Sequence, residues 1–422
     1  MSIVVQKFGG TSLSDSDKMK NVADAVIREK NLGNDVITIV SAMGHTTDAL
    51  IKLANEISST KDEREMDMLL STGEQVSAAL LAMAIKEKGH DAISLNAWQI
   101  GIMTEDIHSQ ARIVDIKTER LEKHLKEGKI IIVTGFQGIT EDNEITTLGR
   151  GGSDTSAVAI AAAVKADRCD IYTDVEGVYT SDPRIVPNAL PLETVSYEEM
   201  FELSRVGANV LHPRSVETAR QYDIPMRVRS SFKLDNIGTL IIGVDKMEIN
   251  KPVTGVARDN SQTRIVICDV EDKPGNASKV FNIMAKNNLS VDMIIQSYAR
   301  SSNNTNDIAF TVANGDLDKF KALENEIKAC VNPSNIHIDQ DISKISIVGA
   351  GMIDRPGIAA GMFEALAGAG INIKMIATSE IKISCLVEKQ YSEKAVVELC
   401  KKFNLDGEEV AEVKGTLPED EL

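Results

Sequence analysis

The sequence predicts an α/β protein in which an open, mostly parallel sheet is sandwiched by helices and is followed by two small α+β sandwiches. Up to about residue 230, β-branched runs alternate with helical patterns, the order that builds a parallel sheet covered on both faces. Beyond Pro252 the chain repeats itself, because the stretch beginning at Asp272 aligns without gaps with the stretch beginning at Asp354, at an offset of 82 residues. A duplicated supersecondary unit explains why the register is kept.

The length of the chain indicates how many domains it has, and its charge excludes some classes of binding partner. At 422 residues the chain is long enough for two or three domains. Its net charge of −17 argues against nucleic acid or an anionic membrane as a partner, because both would be repelled at long range. The longest apolar stretches are too short to span a bilayer, and the five cysteines form no close pair. We therefore expect a cytoplasmic protein with reduced thiols.

The first predicted elements are a strand over residues 3–5 and a helix over 14–30, with Ser14 as its N-cap. Between them lies "KFGGTS", which places Lys7 at the end of the strand and two glycines before the helix. Glycines let backbone N–H groups approach a phosphate, and a helix N-terminus adds partial positive charge. The segment predicts an anion site, although a solvated lysine before a tight turn explains it equally well.

Three further strand ends follow in the first half of the chain. A helix over 47–58 follows the strand-like "DVITIVSAMG", a buried strand is predicted in "GKIIIVTGFQG", and another strand in "RCDIYTDVEGVY" runs into a proline-rich loop. Because ligands of open α/β sheets bind beyond the carboxyl ends of the strands, we expect the chemistry there. The six histidines lack metal-ligand spacing, so no zinc site is predicted.

The most specific stretch is "TTLGRGGSDTSAVAIAAAV". Its Arg150 carries a fork that matches a carboxylate or phosphate, and the flanking glycines expose amides around it. We expect Asp154 to cap the alanine-rich helix; capping alone explains this acid but not the preceding Arg-Gly-Gly. Upstream, Glu74 stands just before an apolar helix, either as a simple helix-start carboxylate or as the partner of an amino group.

A loop with several acids follows the strand ending near residue 173. The motif "YTDVEGVYTSDPR" offers acids suited to Mg²⁺ that bridges phosphates, and an arginine, Arg184, suited to the phosphates themselves. A turn-rich loop with capping acids is the alternative. No G-x-x-x-x-G-K-[ST] occurs, so a Walker-type phosphate site is excluded. Neither C-terminal copy carries a paired carboxylate, a nucleophile with a base or a glycine-rich phosphate loop in its sequence. The two copies are therefore predicted to be ligand sensors or dimerisation units.

Several of these motifs together carry a resemblance to the aspartate kinases of the amino-acid kinase family. They occur in family order over nearly the whole chain: "KFGGTS", "SAMGHTTD", "GEQVSAALLA", "TTLGRGGSDTSA", "YTDVEGVYTSDPRIVP" and "VGANVLHPRSVE". The duplicated C-terminal units resemble the paired, ferredoxin-like ACT domains of the feedback-regulated members. The resemblance implies the amino-acid kinase fold, with a kinase domain over 1–245, one ACT domain over 263–340 and a second built from 253–262 plus 341–422.

The resemblance implies transfer of the γ-phosphoryl group of MgATP to the side-chain carboxylate of L-aspartate, as the first step of lysine, threonine and methionine biosynthesis. This nucleophile is ionised at neutral pH and needs no general base, so the protein must position the anions and neutralise their charge. Mg²⁺ would be held mainly by the ATP phosphates, without a dedicated protein site. Two alternatives stay open: a non-catalytic amino-acid sensor and a kinase for another small acid.

The resemblance also implies residue roles. Lys7 would stabilise the transferring phosphoryl group, and Asp154 would orient Lys7 and the phosphate-bound metal. The remaining implied residues are Thr47, Glu74, Phe136, Arg150 and Ser153 for aspartate, and Gly9, Gly10, Thr173, Asp174, Tyr179, Asp182 and Arg184 with Lys7 for the nucleotide. One position departs from the family: Asn209 replaces a lysine of "GAKVLHP", and weaker ATP binding is the hypothesis that follows.

Regulation is the last expectation that the resemblance carries. An amino-acid effector would bind at paired ACT edges, at Asp272, Gly275, Ala277, Asp292 and Gln296 in one copy and at Ser379 and Glu380 in the other. An acid such as Asp292 or Glu380 favours the ammonium of L-lysine, with threonine, or both together, as alternatives. Sheet edges that pair between chains predict a homodimer or a dimer of dimers.

Overall fold

The computed structural model describes residues 2–60, 62–206, 210–247, 251–297, 304–353 and 355–407. Asn209, for which weaker ATP binding was hypothesised, lies outside the described residues, as does Asp354 at the start of the second repeat. The acidic end "LPEDEL", expected to be a solvated tail, also lies outside them.

An eight-stranded sheet forms the N-terminal unit, with the strand order β10-β12-β11-β9-β1-β2-β6-β3. All neighbouring strands are parallel except β11 and β12, so the predicted mostly parallel sheet is confirmed. Its strands are β1 (Ile3–Phe8), β2 (Asp35–Val40), β3 (Ala92–Leu95), β6 (Ile130–Thr134), β9 (Arg168–Thr173), β10 (Thr194–Ser196), β11 (Met226–Ser230) and β12 (Thr239–Ile242), and a small second sheet holds β4 (Ile102–Thr104), β5 (Ile113–Ile116), β7 (Gln137–Ile139) and β8 (Ile145–Thr147).

Helices cover both faces of the large sheet. Side chains of β1 point to opposite faces: Phe8 packs in the cluster that contains Met19 of the first helix, and Val5 packs with Ala157 on the other face. The helices of this unit are α1 (Ser16–Asn31), α2 (Thr46–Ile57), α3 (Glu63–Leu70), α4 (Thr72–Glu87), α5 (Ala97–Ile100), α6 (Glu119–Lys126), α7 (Gly152–Ala163), α8 (Tyr197–Arg205) and α9 (Pro213–Tyr222).

Three expected helix starts were wrong by a few residues. The N-cap of α1 is Asp15 and not Ser14, because Asp15 Oδ1 accepts the backbone N–H groups of Asp17 and Lys18. Glu74 lies inside the first turn of α4 and not before it. Asp154 does not cap α7; Gly151 is the N-cap, and the Asp154 carboxylate is instead engaged by Lys7.

By length and composition alone, the stretch Glu63–Glu87 is apolar enough to cross a membrane, which is weak evidence because buried core helices pass the same test. The stretch consists of α3 and α4, which meet at Ser71. Its side chains Ala78, Leu81 and Ile85 belong to the core between α1 and the sheet. One face of this stretch is therefore part of the hydrophobic core.

Two four-stranded sheets form the C-terminal part, in the orders β15-β16-β14-β17 and β13-β18-β20-β19. The helices that open the two copies, α10 (Asn276–Lys286) and α12 (Ile358–Gly368), lie at the expected offset, and each begins after a glycine of positive φ, so the duplication is confirmed. The remaining elements are β13 (Gly255–Asp259), β14 (Gln262–Glu271), β15 (Ile294–Gln296), β16 (Thr305–Ala313), α11 (Leu317–Val331), β17 (Asn335–Asp339), β18 (Ile342–Val348), β19 (Met375–Thr378), β20 (Lys382–Glu388) and α13 (Ser392–Phe403).

The two C-terminal sheets are interleaved along the chain. Strand β13, which precedes the first copy, pairs antiparallel with β18, which follows it. The pairing runs from Gly255 opposite Val348 to Asp259 opposite Lys344. The second sheet therefore takes its edge strand from before the first.

Candidate active site at the carboxyl edge of the sheet

Lys7 and Asp154 form an ion pair at the carboxyl edge of the large sheet. Lys7 lies in β1, between β2 and β9, and its Nζ is 2.6 Å from Asp154 Oδ1. The side chains are only 13% and 12% exposed. Asp154 belongs to the first turn of α7, where backbone N–H groups favour a negative charge. The pair presents a lysine cation, held in place by one acid, at the edge where ligands of such sheets bind.

The glycine loop after β1 packs tightly against the end of β2. A Cβ on Gly10 would come within 2.7 Å of the Ala42 carbonyl oxygen, so only glycine fits there. The N–H of Gly44 donates to the Gly10 carbonyl at 3.0 Å. On the other side of the loop, Ser12 Oγ donates to Ser231 Oγ at 2.8 Å, after the end of β11. The loop is thus fixed to both of its neighbours and follows Lys7 directly.

Glu74 is a buried carboxylate beside this loop. Its Oε1 accepts the backbone N–H of Ala42 at 3.1 Å, and its Oε2 is buried with no hydrogen-bond partner in the described part of the chain. Burial raises the pKa of Glu74 to about 7, against the smaller opposing effect of its backbone hydrogen bonds. A buried acid with one unsatisfied oxygen suits a cationic ligand group, which would restore the missing hydrogen bond and favour ionisation.

Arg150 lies in a glycine turn between β8 and α7. Its side chain is exposed and has no hydrogen bond or ion pair among the described residues. Next to it, Gly151 has a φ of +66°, and a Cβ there would overlap the ring of His212 at 2.2 Å. This guanidinium is therefore available to a ligand anion, on a backbone that its neighbours hold tightly.

The other residues expected around aspartate lie close to this turn, with one exception. Phe136 has a φ of +69°, and its ring is 2.9 Å from where a Cβ on Gly152 would stand. Ser153 Oγ is 2.9 Å from where a Cβ on Gly135 would stand. Thr47 lies instead in the first turn of α2, half-buried.

His212 is a residue of this corner that the sequence analysis quoted in "VGANVLHPRSVE" without giving it a role. Its Nδ1 accepts the backbone N–H of Arg214 at 3.3 Å, and Arg214 Nη1 donates to the Leu148 carbonyl at 3.1 Å. Burial lowers the pKa of His212, although Asp154 opposes this effect. The available signal was the His-Pro pair at the start of a helix, typical of an N-cap followed by proline.

The residues expected around the nucleotide divide into two groups. Thr173 is the last residue of β9, the strand beside that of Lys7, and its Oγ1 donates to Oδ1 of the following Asp174 at 3.0 Å. Further along the loop, Tyr179 packs against the C-terminal core, and burial raises its pKa. Arg184 Nη2 is 2.7 Å from Asp182 Oδ2. Burial alone would raise the pKa of Asp182, but the hydrogen bonds from Arg184 outweigh burial, so the pKa is lowered overall. The fork of Arg184 is thus engaged by Asp182.

The residues expected to bind an effector lie on both ACT sheets. Asp292 forms an ion pair with Lys344, and both line a cavity of about 160 Å³. Burial alone would raise the pKa of Asp292, but the ammonium of Lys344 outweighs burial, so the pKa is lowered overall. Asp272 Oδ1 accepts from Asn306 at 3.2 Å. The other expected residues are Gly275, the N-cap of α10, Ala277 in that helix, Gln296 on β15, and Ser379 and Glu380 in the turn after β19.

Three family models match the chain. The one described as amino acid kinase family matches residues 2–230, and two described as ACT domain match residues 264–332 and 345–403. The chain belongs to the amino acid kinase family, and it carries two ACT domains after the kinase domain.

Its relatives within that family are aspartokinases. The chain is 51% identical over 410 residues to an aspartokinase of Bacillus sp. (strain MGA3), covering 97% of this chain and 99% of the relative. Among solved structures it resembles E. coli aspartokinase III in complex with aspartate and ADP, with a TM-score of 0.82 and 27% identity, covering 95% of this chain and 100% of that one. The same protein in complex with lysine and aspartate gives a TM-score of 0.74 at 27% identity, covering 95% and 99%.

Proposed function

We propose that this kinase transfers the γ-phosphoryl group of ATP to the side-chain carboxylate of L-aspartate, giving 4-phospho-L-aspartate. The observation that carries the proposal is the combination of the Lys7–Asp154 pair with a buried acid, Glu74, and an arginine without an ion pair among the described residues, Arg150, in one kinase domain. The E. coli relative bound to aspartate and ADP supports this choice of substrate and nucleotide.

The proposed phosphoryl transfer needs neutralisation of negative charge and no proton transfer. An oxygen of the side-chain carboxylate attacks the γ-phosphorus, a new C–O–P bond forms, the bond from the γ-phosphorus to the bridging oxygen breaks, and ADP leaves with the electron pair. No proton moves, because the nucleophile is already ionised near pH 7. Lys7 would stabilise the negative charge on the transferring group, and the amides of Gly9 and Gly10 would hold phosphate oxygens. Asp154 would keep the ammonium of Lys7 aimed at that group.

Substrate recognition follows from the two remaining charges. Glu74 would accept the α-ammonium of aspartate with its unsatisfied Oε2, and Arg150 would bind the α-carboxylate through its fork. The turns around Thr47, Phe136 and Ser153 would complete the pocket. We assign the nucleotide to the loop of Thr173, Asp174, Tyr179, Asp182 and Arg184, where Arg184 would exchange Asp182 for phosphate oxygens.

The donor set fits Mg²⁺ carried in by the nucleotide. No group of three or more metal-ligating side chains occurs among the described residues, and Mg²⁺ is usually bound through one or two carboxylates plus substrate phosphates. Asp154 would be the acid in that role. When bound, Mg²⁺ would neutralise phosphate charge.

We further propose that the enzyme is cytoplasmic, that it catalyses the first step of lysine, threonine and methionine biosynthesis, and that L-lysine inhibits it through the ACT domains. The E. coli relative in complex with lysine supports this effector. In this chain, Asp292 already binds one ammonium, that of Lys344. Threonine, alone or with lysine, is the alternative effector.

One assay tests the activity and its regulation together. The purified protein is incubated with MgATP and L-aspartate, and the acyl phosphate is trapped as a hydroxamate, with and without L-lysine or L-threonine. We expect aspartate-dependent hydroxamate that L-lysine suppresses. With an active control enzyme in parallel, absence of hydroxamate rejects the aspartate assignment in favour of a sensor or another acid kinase. Suppression by threonine alone rejects lysine as the effector.

A further inference from the structure

A buried carboxylate outside the residues assigned above holds the segment that carries Arg150. Asp67 lies in α3, and its side chain is fully buried. Thr147 Oγ1 donates to Asp67 Oδ1 at 2.5 Å, and the backbone N–H of Ser109 lies 3.2 and 3.0 Å from the two carboxylate oxygens. His108 Nδ1 is 2.9 Å from Oδ2. One carboxylate therefore joins a helix to two segments that are 41 to 80 residues away in sequence.

Both segments lead directly to the Arg150 turn. Thr147 is the last residue of β8, three positions before Arg150. The carbonyl oxygen of Ser109 is 3.0 Å from where a Cβ on Gly149 would stand, so the Ser109 backbone presses against the turn itself. The N–H of Ala111 also donates to the Thr147 carbonyl at 3.0 Å. Asp67 thus holds both the end of β8, through Thr147, and the segment that packs against the turn, through Ser109.

The same pair of helices also carries Glu74. Helix α3 meets α4 at Ser71, and Gln137 Nε2 donates to the Ser71 carbonyl at 2.9 Å, which fixes this junction to β7. Glu74 follows in the first turn of α4. Asp67 therefore links the helix pair that carries Glu74 to the backbone that carries Arg150, whose side chain has no ion pair of its own in the described part of the chain.

We propose that Asp67 is a positioning residue that sets the separation between Glu74 and Arg150, and with it the selection of a substrate that carries an α-ammonium and an α-carboxylate together. The inference rests on the proposed function. Asp67 does not touch the substrate; it acts through the backbone on which Arg150 stands. Positioning of this kind is sensitive to displacements of about 1 Å.

The decisive variant is Asp67→Asn in the full-length chain. Asparagine keeps the volume but replaces one acceptor oxygen by a donor group, which opposes the N–H of Ser109 or the hydroxyl of Thr147. We expect the KM for L-aspartate to rise about tenfold, while kcat and the KM for ATP change less than about twofold, the pattern of lost binding to one substrate. Asp62→Ala is the matched control, because the Asp62 side chain caps the same helix and, within the described part of the chain, accepts only from the backbone N–H groups of Arg64 and Glu65. It should leave the KM for L-aspartate unchanged.

A double-mutant cycle with Arg150→Gln separates positioning from a general loss of packing. If Asp67 acts through Arg150, the double variant has the same KM for L-aspartate as Arg150→Gln alone, within about twofold. Effects that multiply would overturn the proposal. If Asp67→Asn does not fold, Thr147→Val takes its place in the cycle, because it removes one donor and keeps the side-chain shape.

The outcomes distinguish this inference from the proposed function. A wild-type protein that gives no aspartate-dependent hydroxamate contradicts the proposed function itself. Normal wild-type turnover, together with an unchanged KM for L-aspartate in Asp67→Asn and in Thr147→Val, contradicts only the positioning role of Asp67.

Discussion

At the scale of single residues, the proposed role of Glu74 connects burial to substrate binding. A carboxylate with its pKa raised to about 7 is largely protonated at pH 6 and largely ionised at pH 8. Only the ionised form attracts an ammonium group, so protonation competes with the substrate. If Glu74 binds the α-ammonium as proposed, the acidity of this one buried side chain would determine over which pH range the pocket accepts an amino acid.

The expected consequence is a pH-dependent KM. The KM for L-aspartate should fall as the pH rises from 6 to 7.5, by up to about tenfold per unit below the pKa, while the KM for ATP stays flat. Initial rates at five pH values measure it. In Glu74→Gln the KM should be high and independent of pH; a wild-type KM that does not vary over this range contradicts the role of Glu74.

Lys7 is the second residue whose role can be tested directly. Lys7→Met removes the cation but keeps an unbranched side chain, so kcat should fall by about 100-fold or more, the usual effect of losing one electrostatic stabiliser. Circular dichroism checks that the fold is kept, since the variant leaves the Asp154 carboxylate unpaired. Lys20→Met, on the exposed face of α1, is the control and should keep full activity. A kcat for Lys7→Met within about threefold of wild type contradicts the assignment.

At the scale of elements, α8 joins the kinase domain to the second ACT sheet. Glu199 in this helix is buried; its Oε2 completes a capping box with Ser196, and its Oε1 accepts from Thr254 Oγ1 at 2.6 Å and from the N–H of Ala350 at 2.8 Å. One turn on, Glu202 pairs with Lys382 at 2.6 Å. The link therefore consists of short polar contacts as well as apolar packing.

Removing the central acid should weaken this link. We expect Glu199→Ala to lower the free energy of unfolding by about 3 kcal/mol, because it leaves a buried N–H and a hydroxyl without an acceptor. Urea unfolding followed by circular dichroism measures the change. The neighbouring variant Glu198→Ala removes a surface pair with Arg220 and should cost less than about 1 kcal/mol. Equal losses in the two variants would contradict this account of α8.

The elements also show how far the sequence could be used for prediction. The strands, the repeat and the charged corners followed from periodicity, glycine placement and charge, all of which are local. The caps were less certain, because Ser14 and Asp15 are both good N-cap residues and only the backbone selects between them. Asp67 was missed because its donors come from distant segments; the signal was an acid between two methionines in the helical pattern "EMDMLL".

At the scale of the whole molecule, the ACT sheets expose edges. The edge strands β15 and β19 carry Ile294 and Ile376, which are 49% and 37% exposed. Unpaired edges with exposed β-branched side chains favour pairing with another chain. This arrangement supports the proposed dimer or dimer of dimers.

Charges on both edges should break such an assembly. We expect the double variant Ile294→Lys and Ile376→Lys to have a lower mass in light scattering than the wild type, because lysine on an edge opposes strand pairing. Ile57→Lys, at a side chain that is 79% exposed at the end of α2, is the control and should leave the mass unchanged. An unchanged mass in the double variant would place the interface elsewhere.

The interleaving of β13 with β18 has a consequence for protein engineering. Asp259 and Lys344 are antiparallel neighbours, so the two strand ends that flank the first ACT unit are as close as the two arms of a hairpin. The whole first unit is topologically an insertion that a short turn could replace, although Lys344 would then lose its ion pair with Asp292 and keep the one with Asp259. The second ACT unit cannot be removed in the same way, because a chain that ended before β18 would leave β13 without the strand with which it pairs.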